Sequence, residues 1–500
     1  MSRETVAFQR KGLLRLSWPL LVLTVLTLLA TLGNVVLLSQ ASPDLNAAVA
    51  SANQLLGVTY DISVLFSLGA LVVVSQLLGA GKHASARKAA STALRASTIL
   101  GLAMALIILV GASPLLTAIN TPPEIYTQAR AYLWVVAFGL TFNAYIVAAS
   151  AVLRAYGRTV ALLVLGIVVN ILDVVLLAVF LFVLELDAVG AALPTLLVRG
   201  VGVLILAYMV RKGTGATLFG RNRGTATDLP VADGGGFRTQ EQLEQERTHE
   251  RSENRRMSWT MAKLSFPTVL ENGTYNLVIV FGVSLINILG VDSVNARSYA
   301  LTLTAIITGV ILALSQANET IVGWDVGERS LGRALRQTLR TAAGTAVASA
   351  ALAAVLWFFA EGALSIFGVN ANVLEQARVA LAISILLLPL SAVVAVVYGA
   401  LRSAGDVVVP MAMSIASSVI VLLPLSYLFV STLELGVAGI FWALVIAEAV
   451  KAVLLVARLI SGAWRSIEPV SAEIGEDSVQ VAAGAPVDEN PAALPTDLTT

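Results

Sequence analysis

The chain has no cysteine and only two histidines, His83 and His249, among its 500 residues. Without cysteine it has no disulfide, no thiol nucleophile and no thiolate metal site. Without an H-E-x-x-H or similar cluster, it encodes no protein-built metal centre. No nucleophile–base constellation is visible, so the sequence offers nothing to an enzymatic reading. Charge is scarce as well. Asp, Glu, Lys and Arg together make 13% of the chain, against roughly 25% in ordinary soluble domains. The stretch GAGKH at 79–83 carries the Gly-Lys of a phosphate loop. Gln76 stands where that loop needs its first glycine, and His83 where it needs Ser or Thr. It is a turn with basic flanks.

What fills the chain is apolar surface. Hydrophobic residues make 57% of it, and the mean hydropathy is +0.85. Apolar runs of about 20 residues recur, the length a helix needs to cross a bilayer core of about 30 Å. The first, from about Gly12 to Gln40, is much longer than a signal-peptide core and is read as retained. Spans are expected near 12–40, 48–80, 89–111, 124–153, 159–183 and 188–211, then 260–290, 296–325, 335–360, 375–401, 407–431 and 436–460.

The chain also repeats itself. RLSWP at 15–19 returns as KLSFP at 263–267, an offset of 248. Gln128-Ala129-Arg130 returns as Gln376-Ala377-Arg378, and Leu153-Arg154 with Gly157 as Leu401-Arg402 with Gly405, at the same offset. Gly81 and Arg87 pair with Gly327 and Arg333 at 246, and LELDAVG at 184–190 pairs with LELGVAG at 433–439 at 249. This is an internal duplication. With six spans in each copy, an even number, the copies run parallel, related by an axis along the membrane normal. The fold expected is all-α integral membrane, with twelve transmembrane helices in two six-helix lobes.

Loops on the side of the N-terminus carry Lys82, Arg87, Lys88, Arg154, Arg158, Arg211, Lys212, Arg329, Arg333, Arg336, Arg340 and Arg402. The opposite loops carry Arg130, Arg297 and Arg378. The positive-inside rule then places both termini in the cytoplasm. Four segments follow: a first lobe at 1–212, a flexible cytoplasmic linker at 213–257 whose charged second half can form helix, a second lobe at 258–465 and a disordered tail at 466–500.

Ionisable groups inside membrane helices are costly and mark function by default. They are Asp61, Asp173, Arg199, Glu271, Glu319 and Glu448, with Lys451 expected to snorkel to the cytoplasmic face. Asn34, Asn170 and Asp173 are expected to meet in the first lobe, with Asp61 near its external edge. In the second lobe Glu271 and Glu319, with Asn272, Asn276 and Asn318 close in sequence, are expected to form a two-carboxylate pocket for a cation or proton. Helix–helix hydrogen bonding alone would also account for these groups. Arg199 and Glu448 occupy equivalent positions and are assigned to charge balance.

LRSAGDVVVP at 401–410, QLLGAGKHASARKAA at 76–90, VGWDVGERSLGRA at 322–334, and NILD at 170–173 followed by GAALPT at 190–195 resemble the multidrug and toxic compound extrusion family. The resemblance covers nearly all of residues 12–460. It implies a V-shaped twelve-helix antiporter that exports amphipathic, often cationic compounds in exchange for protons or sodium ions. It matches Asn170 and Asp173 to the family's Asn/Asp pair of the fifth helix, at a spacing of three where four is common. Asn34 falls where many prokaryotic members have an acid, and Glu271 fits an acidic position of the seventh helix that other members place a turn further on, at Tyr275 here. It implies no cofactor beyond H+ or Na+ as coupling ion; Na+ is the one metal ion this reading admits. The partners implied are a small-molecule substrate and the lipid bilayer, with no nucleic acid, for a monomer in a bacterial-type plasma (inner) membrane. Two alternatives stay open: a lipid or lipid-linked sugar flippase of the same superfamily, whose groove would want several basic residues, and a non-transporting membrane receptor or scaffold.

Overall fold

The computed structural model describes residues 10–118, 121–218, 240–365 and 369–472. Among them, twelve helices are long and apolar enough to cross a membrane. The first lobe contains α1 (Leu13–Ala41), α2 (Pro43–Ser63) continued after a break at Val64 by α3 (Leu65–Gly79), α4 (His83–Ala118), α5 (Pro123–Ala155), α6 (Thr159–Ala178) and α7 (Ala188–Thr214). The second contains α8 (Gln240–Ile288), α9 (Val291–Gly327), α10 (Leu331–Phe358), a short α11 (Ala360–Ser365), α12 (Ala371–Ser403), α13 (Val408–Ala416), α14 (Leu423–Tyr427) and α15 (Gly436–Ser461). Within each span the bilayer leaves the backbone no partner but itself, so continuous helix is the outcome. Large apolar side chains such as Ile99, Val110, Leu204 and Val347 stay exposed on the outer faces, as lipid contact requires.

The duplication reaches into the backbone. Glu185 and Glu434 both take left-handed conformations, φ 49° and 53°. Each follows a π-turn, Val179–Val183 and Leu428–Thr432. The structure also corrects one register. Lys82 N–H bonds the Leu77 carbonyl, and Ser330 N–H bonds the Asp325 carbonyl, in matching turns. Gly81 therefore corresponds to Arg329, which has φ 60°, and Gly327 corresponds to Gly79. The sequence pairing of Gly81 with Gly327 was two residues out of step, because glycine is the obvious mark of a left-handed turn and Arg329 holds one without it.

In that register the two lobes meet through mirrored contacts at the end that carries the basic loops. A Cβ on Gly79 would strike the backbone of Trp324, and one on Gly327 would strike the backbone of Gln76, the counterpart of Trp324. The α3 and α9 backbones can approach this closely only because both positions are glycine. Trp324 Nε1 donates to the Ala155 carbonyl at 2.8 Å, and Gln76 Nε2 donates to the Ser403 carbonyl at 2.7 Å. The repeated pentapeptide belongs here as well. Leu16 and Leu264 are buried in the cluster at this boundary, and Ser265 Oγ accepts the Gly69 N–H at 2.6 Å.

Two segment boundaries shift. Residues 240–257, expected in the flexible linker, are the first turns of α8; Lys88 pairs with Glu253, and Thr92 Oγ1 donates to Asn254 Oδ1. At the other end of the linker, Arg95 Nε donates to the Leu218 carbonyl at 2.9 Å. Residues 219–239 lie outside the described residues. Of the expected tail, 466–472 is packed: Val470 joins the core cluster at the lobe boundary, and Lys82 Nζ donates to the Ser471 carbonyl at 2.6 Å. Residues 473–500 lie outside the described residues.

Candidate functional site

In the first lobe, packing of α1 on α6 brings Asn34 to Asp173. Asn34 Nδ2 donates to Asp173 Oδ2 at 2.7 Å. Asn170, one turn back on α6, donates instead to Thr27 Oγ1 at 3.2 Å. Thr195 and Arg199 of α7 flank Asp173 from the other side. Arg199 Nη2 donates to the Tyr60 hydroxyl at 3.0 Å, and the guanidinium lies 5.1 Å from the Tyr60 ring centroid. Tyr132 stands beside Tyr60, Arg199 and Asn53. The result is a polar cell of opposite charges between α1, α2, α5, α6 and α7.

Asp61 is not near the outer edge. It lies midway along the rod formed by α2 and α3, and its Oδ2 accepts from Asn276 Nδ2 of α8 at 3.3 Å. The depth count from Gly81 stopped at one bilayer thickness, whereas the helical rod continues from Asp61 out to Pro43. Asp61 and Asn276 thus join the lobes rather than serve one of them.

The two acids expected to share a pocket in the second lobe have separate hydrogen-bond partners. Glu271 Oε1 accepts from Ser414 Oγ at 2.7 Å, with Tyr275 and Tyr398 near it. Glu319, 2% exposed, takes Arg402 Nε at 2.7 Å. Arg402 is bonded to one acid and within electrostatic reach of the other. Its counterpart Arg154 approaches from the first lobe, donates to Gln316 Oε1 at 2.6 Å and also feels the Glu319 charge. Both arginines had been read only as cytoplasmic loop charges. They sit instead in the last turns of α5 and α12 and turn inward. Asn318 is fully buried and, among the described residues, neither of its amide atoms has a hydrogen-bond partner, while Asn272 is exposed.

Lys451 does not snorkel. It is 4% exposed, bonds Glu448 at 2.9 Å and lies 5.3 Å from the Tyr275 ring centroid. Glu448 is therefore balanced within its own helix, whereas Arg199 at the equivalent place bonds the Tyr60 hydroxyl and feels the Asp173 charge. The residues missed by sequence reasoning are Arg154, Arg402 and the tyrosines 60, 132, 275 and 398. Phenol groups inside apolar spans were the available signal, since a buried hydroxyl needs a partner.

Two pseudo-symmetric six-helix lobes, joined at one end and holding buried charges inside, define a polytopic membrane transporter. The particular family follows from comparison. The MatE family model matches residues 19–179 and 267–428, one stretch in each lobe. The chain belongs to the MatE family, whose members are transporters and not enzymes. It is 26% identical over 460 residues to the uncharacterized transporter YisQ of Bacillus subtilis, covering 91% of this chain and 94% of that one. It is 23% identical to the probable multidrug resistance protein NorM of Thermotoga maritima, covering 93% and 95%. Among solved structures, a multidrug resistance MATE family transporter of the MOP superfamily in an outward-facing conformation superposes with a TM-score of 0.77 at 20% identity, covering 91% of this chain and 96% of that one. A MOP superfamily transporter from Pyrococcus furiosus superposes with 0.78 at 20% identity, covering 91% and 96%.

Proposed function

We propose that this protein is a secondary active exporter of amphipathic or cationic small molecules, driven by exchange for H+ or Na+. It acts as a monomer in a bacterial-type plasma membrane with both termini in the cytoplasm and no cofactor. One observation carries the reading. Side-chain hydrogen bonds between the lobes run from the basic end, through Trp324, Gln76 and Ser265, as far as Asp61–Asn276 midway along. With the basic end cytoplasmic, lobes held together from that end fit the outward-facing state of an alternating-access cycle. Asp173 and Glu271 are the coupling carboxylates of this scheme, one in each lobe. Each has neutral hydrogen-bond donors as partners (Asn34 and Ser414) and is free to exchange them for a proton, a sodium ion or a substrate cation. The driving force suffices: one charge moved through 100 mV supplies about 2.3 kcal/mol.

The test is reconstitution in vesicles with an imposed pH or sodium gradient and a fluorescent organic cation inside. Gradient-dependent efflux that ceases on collapsing the gradient is expected. Efflux indifferent to both gradients would overturn the exchange mechanism, and movement of a lipid-linked sugar instead would favour a flippase.

A further inference from the structure

We propose that the outer face of α10 binds an anionic phospholipid, with Arg336 and Arg340 holding its phosphate. The site lies outside the lobe interior and stands apart from the transport reading above. Helical spacing splits α10 into two stripes. Ala334, Thr338, Thr345 and Ser349 are buried, where the helix packs on α9 and α12. On the opposite stripe Arg336, Arg340, Val347 and Ala351 are exposed. Val347 is 70% exposed, and a Cβ on Gly344 beside it would meet nothing within 4 Å. The exposed stripe thus begins with two cations at the basic end and continues as bare apolar surface. Val347 lies two turns beyond Arg340, about 10 Å deeper. Charge first and apolar surface after it is the order in which a phospholipid presents its phosphate and its acyl chains.

The duplication supplies an occupied version of the same face. At the repeat offset of 248, Arg336 corresponds to Lys88 and Arg340 to Thr92, both on α4. There the chain covers itself: Glu253 of α8 pairs with Lys88, and Thr92 Oγ1 donates to Asn254 Oδ1 at 3.1 Å. On α10 the same two places are more basic. Arg333, one turn before, is tied to Asp325 and Glu328. Among the described residues, Arg336 and Arg340 form no ion pair. Like charges a turn apart on one helix face repel, so an anion between them relieves a cost that the fold otherwise carries. Two guanidinium forks at that spacing can share the oxygens of one phosphate. Inorganic phosphate would use the arginines alone. A phosphatidylglycerol uses the arginines and the apolar stripe together, which is why the face is assigned to the lipid.

The experiment follows quenching beside the site. The chain lacks cysteine, so Gly344→Cys gives a single attachment point for a bimane fluorophore, one turn beyond Arg340 and facing open space. The full chain is reconstituted in phosphatidylcholine vesicles containing phosphatidylglycerol or phosphatidylcholine spin-labelled on an acyl chain. Labelled phosphatidylglycerol should reach half-maximal quenching at a mole fraction about 10-fold lower, of the order that two basic side chains at a lipid surface supply. Arg336→Gln/Arg340→Gln should bring the two labelled lipids together. Arg211→Gln/Lys212→Gln, which removes two charges from the last turn of α7, should leave the difference intact. With both arginines in place, unlabelled phosphatidylglycerol should relieve the quenching and inorganic phosphate in the buffer should not; this arm decides even if the double variant inserts poorly. Equal quenching by the two labelled lipids, a difference that survives loss of Arg336 and Arg340, a difference lost equally on replacing Arg211 and Lys212, or relief by inorganic phosphate overturns the proposal. No gradient is applied, so the result is independent of the exchange mechanism.

Discussion

Replacing Glu319 by Gln tests what its buried carboxylate does. The side chain is almost fully enclosed and takes Arg402 at 2.7 Å, with Arg154 also within its field. Removing one partner of a buried ion pair costs about 3–5 kcal/mol, because the other is left uncompensated. Glu319→Gln leaves two arginines facing each other at the lobe boundary, so the upper half of that range is expected. Arg402→Gln leaves Glu319 the nearby Arg154 as a fallback, so it should cost less, about 3 kcal/mol or below. The double variant Glu319→Gln/Arg402→Gln should lose less than the two single losses added together, which is the mark of direct coupling. Detergent-denaturant unfolding of the purified protein, followed by tryptophan fluorescence, measures all three. At 1.4 kcal/mol per decade, Glu319→Gln should shift the unfolding equilibrium by about three powers of ten. A loss under about 1 kcal/mol, or strictly additive losses, would refute the view that this acid is the common partner of both repeated arginines.

Four further outcomes are expected. Asp173→Asn should abolish gradient-driven efflux while the protein still inserts and folds; normal coupled efflux would remove Asp173 from the coupling scheme. Glu271→Gln should weaken binding of a cationic dye, which a fluorescence titration of the purified protein would read; unchanged affinity would remove Glu271 from the scheme. Gly327→Leu should force α9 off α3 and open the basic end; the chain lacks cysteine, so maleimide labelling of Ala313→Cys, buried at that boundary, should rise several-fold on adding Gly327→Leu, and unchanged labelling would count against the close approach. Deleting about ten residues from 219–239, between the docked Leu218 and the first turns of α8, should leave efflux intact in vesicles, because a chain of the remaining length still spans the gap; complete loss in a correctly inserted protein would make the linker more than a tether.

Helices and repeat were legible because the bilayer makes them so. Apolar length fixed the twelve spans, and motifs such as LELDAVG and LELGVAG fixed the pairing of lobes, down to the shared left-handed Glu185 and Glu434. Asn34 was placed with Asp173 by depth counting alone, since both sit on helices that begin at the same face. Depth counting failed where a helix is longer than the count assumed, as for Asp61, beyond which α2 continues out to Pro43. Charge reading failed where one rule served two purposes. Arg154 and Arg402 satisfy the positive-inside pattern from the last turns of their helices, and a one-dimensional tally has no means of seeing that they bend inward to Gln316 and Glu319. Lys451 was misjudged likewise: its length permits snorkelling, but Glu448 three residues earlier offers a nearer partner.

The duplication stops at charge, and this asymmetry bears on mechanism. Backbone turns, interface glycines and the inward arginines Arg154 and Arg402 occur in both lobes, so the hinge between them is built from matched halves. The acids do not match: at the repeat offset, Asp173 corresponds to Val421, Glu271 to Leu23 and Glu319 to Leu71. A perfectly symmetric pair of lobes would offer a substrate two equal seats and a coupling ion no reason to choose between them. Here the first lobe sets Asp173 near Arg199, while the second seals Glu319 and Glu448 with internal cations and leaves Glu271 with a neutral donor. Rocking two halves about a symmetric joint presents both interiors to the same side at once. In the exchange scheme proposed above, unequal interiors would let the compound and the coupling ion favour different lobes, and such a difference in occupancy is what a coupled cycle needs in order to run in one direction.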